Sequence, residues 1–447
     1  MNFIRLIIII ISFLFIRNSI AQIGPVNFID STYATSGLSM FASADLDNDG
    51  DEEIIASFTG TSGKLAFFKN LSNGLFSGTL TIIDSIPFTM GLAVGDFNED
   101  GWNDIVTIGG VNNEAWIYIN NSGTFSNRDT LDSNISIFMN DVVVADFDGD
   151  NDDDIVIIGQ HSIDLYRNNG AATFTKETIL DTGSSTEPLE CLDLATADMD
   201  SDGDMDLVCA ETAGVVVYIN SGDAIFTPNY YSVMAEVGFL IHPFDIDNDN
   251  DIDVLMNIGS GDVKWFSNDG SGALVFEEIL TSVPDLLSMT SIDYNNDGYE
   301  DIYASYLHNI SIFLNDSQHT FSSEVSVYTD NNLIMGPVHM ANIDNLGHLD
   351  YVWSGANKSV AFHINQIETS ISPNEIVNQI IYPNPTFDYV NVWSIEPIED
   401  ITIIDTYGRS LLKTKDNKIN ISKFPKGLYI INIKTKENNI IKEVIKY

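Results

Sequence analysis

The chain has 447 residues, with 65 Asp and Glu against 19 Lys and Arg and a net charge of −46. That length leaves room for more than one domain. The charge is uneven: Gln22–Pro373 holds 7 basic and 56 acidic residues, a net of −49, whereas Asn374–Tyr447 holds 10 basic and 9 acidic. A body this acidic excludes nucleic acid and anionic membrane as direct partners.

The chain opens with Arg5, an apolar run Leu6–Ile16, and then Ser19-Ile20-Ala21. A charged start, a short apolar core and small residues at −3 and −1 are the marks of a secretory signal, predicted over residues 1–21 with cleavage after Ala21. The alternative is an uncleaved anchor. No later stretch is long and apolar enough to span a bilayer, so no transmembrane segment is expected in the mature chain.

From Asp45 onward an acidic loop returns six times: DLDNDGDEE from Asp45, DFNEDGWND from Asp96, DFDGDNDDD from Asp146, DMDSDGDMD from Asp198, DIDNDNDID from Asp245 and DYNNDGYED from Asp293. A degraded seventh copy starts at Asn342, and the start-to-start spacings are 51, 50, 52, 47, 48 and 49 residues. Each unit reads as an apolar strand into the loop (Asp141–Ala145), a second strand after it (Ile155–Ile158), a third ending in Asn (Ile163–Asn168) and, after a Gly-containing turn, a fourth opened by Phe174. Short runs rich in Val, Ile, Phe and Tyr between turn residues are strands. Helical periodicity is absent.

Units of four strands repeated at this period are blades of a β-propeller. Seven units predict a seven-bladed, all-β propeller over residues 22–365. The seventh unit ends after its third strand, VAFHIN at Val360–Asn365, and the missing fourth strand is predicted at Val26–Thr32, whose sequence matches the fourth strands of the first two units. Its return would close the ring and remove an exposed sheet edge. Cys191 and Cys209, the only two cysteines, flank the fourth loop. In an exported chain they form either a disulfide or two buried thiols.

The loops carry oxygen donors at positions 1, 3, 5 and 9, with a backbone carbonyl expected from position 7. The candidate metal ligands are Asp45, Asp47, Asp49, Asp51 and Glu53 in loop 1, and Asp96, Asn98, Asp100, Trp102 and Asp104 in loop 2. They continue with Asp146, Asp148, Asp150, Asp152 and Asp154 in loop 3, and Asp198, Asp200, Asp202, Asp204 and Asp206 in loop 4. Loop 5 offers Asp245, Asp247, Asp249, Asp251 and Asp253, and loop 6 offers Asp293, Asn295, Asp297, Tyr299 and Asp301. Position 6 is Gly in four copies and Asn in Asn151 and Asn250, the residues that tolerate a left-handed turn. The pattern resembles the first nine residues of an EF-hand loop, but a strand follows at once and no Glu stands at position 12. Hard oxygen donors without nearby His or Cys select Ca²⁺. Two carboxylates 4 Å apart repel by about 4 kcal/mol at an effective dielectric near 20, a cost that a divalent ion removes. About six structural Ca²⁺ sites are therefore expected. The seventh loop keeps only Asp344 and Asp350, with Leu346 at position 5, and is expected to bind no ion or to bind one weakly.

Residues 366–379 are polar, contain Pro and break the period, and read as a linker. Residues 380–447 form a second domain with strands predicted at Val390–Trp393, Ile401–Ile404, Tyr429–Ile433 and Ile440–Ile445, a small β-sandwich of Ig-like type.

The DxDxDGxxD loops and the N-x-G-x-F turns resemble the FG-GAP/VCBS repeats of integrin-α-type propellers, over Val26–Asn365. That resemblance implies structural Ca²⁺ between the first and second strands of each blade and ligand binding on the opposite rim. Family members include glycan- and matrix-binding proteins and propeller domains of polysaccharide lyases. The C-terminal domain resembles the type A sorting domain of the type IX secretion system of Bacteroidetes, through Tyr382-Pro383-Asn384-Pro385, Asp405-Tyr407-Gly408, Phe424-Pro425-Lys426-Gly427-Leu428-Tyr429 and a basic end with Lys442 and Lys446. It implies the type IX machinery as a partner, and a secreted or cell-surface location reached through the periplasm.

No HExxH, GxSxG or phosphate-binding loop occurs, and the 7 His are scattered. The expectation is a non-enzymatic module that binds a glycan or a protein. The alternatives are a lyase-like carbohydrate-active enzyme and a passive structural surface protein. Ligand contacts are expected on the rim opposite the loops, at Gly109–Glu114, Gln160-His161, Glu211–Gly214, Ser305–Asn309 and Ser354–Asn357, with Tyr306, His308 and Trp353 as candidates for sugar stacking.

Overall fold

The computed structural model describes residues 27–446, except for 30–37, 59–62, 73–75, 110–113, 134, 136–140, 160, 182–190, 212–213, 233–237, 296, 317–320, 322–323, 330–335, 345–348, 355–359, 364–378, 383–388, 395–397, 406–408 and 436–438. The predicted signal, most of the linker, Asn365, Gln160 and Leu346 lie outside the described residues.

Every described element is a strand. From Leu38 to His363, together with Asn27–Ile29, the strands form seven antiparallel sheets of four. In the second sheet, Gly91–Gly95 pairs with Asp104–Gly109, that strand with Glu114–Tyr118, and that one with Asp129–Asp132. The others repeat this meander. The first strands of successive sheets, from Leu38–Ala44 through Cys191–Ala197 to Val338–Ala341, touch one another in turn, and the last touches the first. They therefore form a closed inner ring.

Second strands are buried along all or nearly all of their length, as in Glu53–Phe58 and Asp104–Gly109, because both their faces lie against neighbouring sheets. This accounts for their continuous apolar runs where a half-exposed strand would alternate. Each pair of adjacent sheets shares one apolar cluster. Sheets 1 and 2 meet at Ile55, Phe67, Ile105 and Trp116, and sheets 7 and 1 meet at Phe41, Phe68, Val352 and Phe362. The core is thus seven inter-sheet layers.

Ring closure follows the expected route. Asn27–Ile29 pairs antiparallel with Val360–His363, opposing Asn27 to Phe362 and Ile29 to Val360. The last sheet is built from both ends of the repeat region. Cys191 and Cys209 are joined as a disulfide with a Cα–Cα distance of 5.7 Å, linking the first and second strands of the fourth sheet. The alternative of two buried free thiols is set aside.

Residues 379–446 form two further sheets, Gln379–Tyr382 with Tyr389–Ser394 and Lys418–Asn420, and Ser410–Thr414 with Ile398–Asp405, Gly427–Thr435 and Asn439–Lys446. Val390, Val392 and Ile419 of the first sheet share a core with Ile401, Ile403, Ile431 and Val444 of the second. Two sheets over one core make a sandwich. The sequence anticipated four of these strands and missed Gln379–Tyr382, Ser410–Thr414 and Lys418–Asn420, which are short, the last two being mostly polar.

Candidate functional site

Each acidic loop joins the first strand of a sheet to its second, and all six fold the same way. The position-1 carboxylate caps the turn. Asp45 Oδ1 accepts from Asp49 N at 3.2 Å and Oδ2 from Gly50 N at 2.9 Å. Asp96, Asp198, Asp245 and Asp293 repeat both bonds to positions 5 and 6. In loop 3, Asp146 accepts from Gly149 and Asn151. Position 5 then accepts from the position-7 amide, as Asp100 does from Trp102 at 3.0 Å and Asp297 from Tyr299 at 3.0 Å. Position 6 is left-handed, at φ 94° in Gly50 and 75° in Asn250, which is why Gly and Asn stand there. Position 4 is left-handed as well in Asn48, Glu99, Ser201 and Asn248, a feature that residue type did not reveal.

The position-9 carboxylate is buried in every loop: Glu53, Asp104, Asp154, Asp206, Asp253 and Asp301 are at most 1% exposed. One oxygen accepts from the position-2 amide, for example Asp206 Oδ2 from Met199 N at 2.8 Å. The other accepts from the backbone of the Asn ending the third strand, for example Asp104 Oδ1 from Asn120 N at 2.7 Å. Burial raises these groups. Glu53, Asp104, Asp154, Asp253 and Asp301 are pushed up to about 7 and Asp206 to about 6, although the two backbone donors pull the other way.

That Asn is a functional residue that the sequence marked only as a strand ending. Asn120 Nδ2 donates to Leu46 O at 2.8 Å in the loop of the preceding sheet and to Asn103 O at 3.0 Å in its own. Asn168, Asn220, Asn268 and Asn315 reach Phe97 O, Phe147 O, Met199 O and Ile246 O in the same way. Asn70 reaches Ile343 O at 2.7 Å and so ties the first sheet to the seventh. The signal was available in the invariant Asn after each third strand.

In four loops the carboxylates of positions 1, 3 and 9 bring oxygens within 4.8 Å of one another: Asp45, Asp47 and Glu53; Asp146, Asp148 and Asp154; Asp198, Asp200 and Asp206; Asp245, Asp247 and Asp253. In loops 2 and 6 position 3 is Asn98 or Asn295, whose amide donates to the position-5 carboxylate at 3.2 or 2.9 Å. A divalent oxygen-seeking ion fits this donor set. Asp47 Oδ1 and Asp200 Oδ1 are shielded from solvent and accept no hydrogen bond, so their lone pairs are available to a cation or a hydrogen-bond donor. Crowding also leaves its mark, since burial and neighbouring carboxylates raise Asp200, Asp49 and Asp251 above the usual range. In the seventh loop Asp350 still accepts from the amides of Ile343 and Asp344, but position 1 is Asn342 rather than Asp.

The candidate rim has one clear correction. Trp353 is 0% exposed and packs in the core between the sixth and seventh sheets, so it cannot stack on a sugar. Tyr306 is half-buried with its hydroxyl on Ser311 Oγ at 3.2 Å, and His308 is half-buried. Much of the remaining rim, including 110–113, 212–213 and 355–357, lies outside the described residues. A cavity of about 420 Å³ opens elsewhere, between the second and third sheets, beside Asp132, Tyr166 and Lys176.

A ring of seven four-stranded antiparallel sheets with an acidic loop behind six of the inner strands defines a β-propeller of the acidic-loop kind. The FG-GAP-like repeat model matches residues 45–107, 96–157, 146–209, 198–256, 245–304 and 293–353, most of the chain, which therefore belongs to the FG-GAP-like repeat proteins. Residues 380–447 match the secretion system C-terminal sorting domain, the tail read by type IX secretion. The chain is thus exported by that machinery to the cell surface or the medium. No helix among the described residues is long and apolar enough to cross a membrane.

Among solved structures, the chain is similar to an Agrocybe aegerita lectin that recognises non-reducing terminal N-acetylglucosamine (18% identity, 67% of this chain and 82% of that one, TM-score 0.53). It is also similar to BBS1N in complex with ARL6DN (10% identity, 78% and 98% coverage, TM-score 0.53). At these identities the likeness is one of fold. No curated protein matches the chain.

Proposed function

We propose that the chain is a calcium-stabilised seven-bladed propeller that acts as a non-enzymatic binding module at the cell surface, for a glycan or a protein, with an Ig-like sorting domain behind it. The observation that carries the calcium reading is the shared loop geometry. Six loops hold a position-1 carboxylate over the same turn, four gather three carboxylates, and two leave a shielded oxygen with no hydrogen bond. Positions 1, 3, 5 and 9 would hold the ion with the position-7 carbonyl. The ion would supply positive charge where carboxylates repel. The chain's own residues do the rest: position 9 and the following Asn lock each loop to its own sheet and to the one before it.

The binding reading rests on family membership and export. The similar lectin recognises a sugar and the similar BBS1N is in complex with a protein, which motivates screening both ligand classes. The rim opposite the loops and the groove beside Asp132, Tyr166 and Lys176 are the surfaces to test.

The test is thermal unfolding of the full chain in EDTA and in millimolar calcium, with bound metal counted, followed by glycan and matrix-protein screens in calcium. A large rise in melting temperature with about six ions bound is expected through linkage. No shift and no bound ion would overturn the calcium reading. Cleavage products from a polysaccharide panel would overturn the non-enzymatic one.

A further inference from the structure

The outer seams between sheets are built on one plan and filled in different ways. In the second sheet, Trp116 and Tyr118 stand four and two residues before Asn120 and pack in the layer shared with the first sheet. Tyr118 donates to Asp84 Oδ2, at the end of the first sheet's outer strand, at 2.9 Å. Arg128 stands 3.6 Å from the same oxygen and lies over the Trp116 ring at 5.2 Å. Phenol, carboxylate, cation and indole close that seam.

The third sheet keeps the polar half of the plan. Tyr166 donates to Asp132 Oδ2 at 2.6 Å, and Lys176 Nζ donates to the same oxygen at 2.7 Å. The indole is gone: Asp164 stands four residues before Asn168, and strand alternation puts it on the same face as Tyr166. Asp164 lies 3.1 Å from Lys176 Nζ and accepts from Ser162 and Thr178. A carboxylate is much smaller than an indole. The seam between the second and third sheets opens into the cavity of about 420 Å³, over Ile117, Ile119 and Leu131. In the fourth sheet Pro228 opposes Tyr218 where Lys176 opposes Tyr166, and the buried Tyr218 hydroxyl makes no hydrogen bond. Among the described residues, the seam with a built polar wall and open space is that of the second and third sheets.

The cavity has two faces, and they restrict what it can hold. Its volume falls in the range of roughly 300–1,000 Å³ of small-molecule sites. The floor is aliphatic, whereas Asp129, Thr130, Asp132 and Lys176 give the mouth donors and acceptors. Lys176 has three N–H groups and two carboxylate partners, so one N–H remains for a ligand. A wholly apolar ligand would cover that N–H without bonding it. An anion would meet Asp129, Asp132 and Asp164 around a single lysine, and a cation would compete with Lys176 for Asp132. A neutral ring with a C–H face and an edge of hydroxyls suits both surfaces. We propose that this cavity is a glycan subsite for a neutral sugar residue, with the ring on the aliphatic floor and the hydroxyls at Lys176 and its neighbours. This inference rests on the binding reading above and narrows it to one ligand class at one seam.

The experiment uses the full chain in millimolar calcium. Glucose, galactose, mannose and N-acetylglucosamine are the neutral probes, with glucuronate and glucosamine as charged counterparts, read by saturation-transfer NMR and titration calorimetry. Thr130 is exposed on the outer strand, so Thr130→Trp fills the mouth without entering the core. Lys176→Met removes the donor. Ile82→Trp is the control, at the matching position of the first sheet's outer strand, where Ile82 opposes Ala66 as Thr130 opposes Trp116. Wild type is expected to bind at least one neutral probe more tightly than either charged one. Thr130→Trp and Lys176→Met should each weaken that binding by about tenfold or more, and Ile82→Trp should leave it unchanged. If Thr130→Trp does not fold, Lys176→Met decides, because its side chain is 42% exposed.

Sugar binding that both variants leave intact would overturn this site and leave the glycan reading standing. Tighter binding of glucuronate or glucosamine than of any neutral probe would overturn the ligand class. A wild type that binds none of the six sugars would overturn the proposal outright. A matrix-protein screen that then succeeds would keep the binding-module reading with a protein as its ligand.

Discussion

At the scale of single residues, the locking asparagines matter more to the ring than their modest chemistry suggests. Asn120 is 0% exposed, and its side chain donates to Leu46 O and Asn103 O while accepting from Gly123 N. Asn120→Ala would leave two carbonyls without that donor in a region that water does not reach. The expected cost is about 2–4 kcal/mol, read as a lower urea midpoint at unchanged slope. Asn121→Ala is the control: it is exposed, its side chain makes one long bond at 3.4 Å to Ile119 O, and it should change the midpoint little. Two imidazoles also sit between sheets, His242 on Ser291 Oγ at 2.9 Å and His339 on Ser43 Oγ at 3.0 Å, and burial lowers both to about 4. A histidine held below its unfolded value contributes stability above about pH 6.5, which is lost as pH falls towards 4.

At the scale of the element, the loop sets the pH behaviour. Six position-9 carboxylates are raised to about 6 or 7 by burial, above the unfolded range near 4. A raised carboxylate stabilises the fold while protonated in it. The metal-free protein should therefore lose stability as pH rises from about 4 to about 7. The two histidines oppose this trend and are outnumbered six to two. Melting in EDTA across pH 4.5–8 should show a falling midpoint. In calcium the trend should reverse, because ion binding requires the ionised form. A midpoint in EDTA that rises over this range would contradict the buried-carboxylate account. The disulfide is the other local brace. Cys191 and Cys209 are 18 residues apart in sequence, and the chain-entropy estimate for a loop of that size is about 3 kcal/mol. Unfolding with and without a strong reductant should differ by that order, and thiol titration of the native protein should find no free cysteine.

At the scale of the whole molecule, closure is what separates this ring from an open array. The seventh sheet takes its outer strand, Asn27–Ile29, from the N-terminal side, and the first and seventh sheets are further joined by Asn70 on Ile343 O and by Glu52 Oε2 accepting from Asn342 N at 3.1 Å. Removing residues 22–32 would expose the edge of Val360–His363 as a template for pairing. The expected result is a lower melting temperature and concentration-dependent association in size-exclusion chromatography. A truncated chain that remains monomeric with unchanged melting would mean that the side-chain ties suffice without the strand.

What the sequence determined by itself is what repeats. An acidic loop every 50 or so residues, an Asn after every third strand and an apolar second strand fixed the period, the four-stranded unit, the closing strand and the candidate ligands, because a repeat multiplies a weak local signal. The C-terminal strands that contain few apolar residues escaped, because their pairing is set by neighbours and leaves little trace in composition. Tertiary structure alone decided which residues of one repeat meet those of the next. That Trp353 is core, that position 9 serves two backbone amides as well as a candidate ion, that each Asn reaches the preceding sheet, and that Lys69 and Arg167 sit on Asp47 and Asp148 all depend on contacts between units or across a turn. Such contacts arise from how sheets pack around an axis, and a linear pattern of residue types does not encode that geometry one residue at a time.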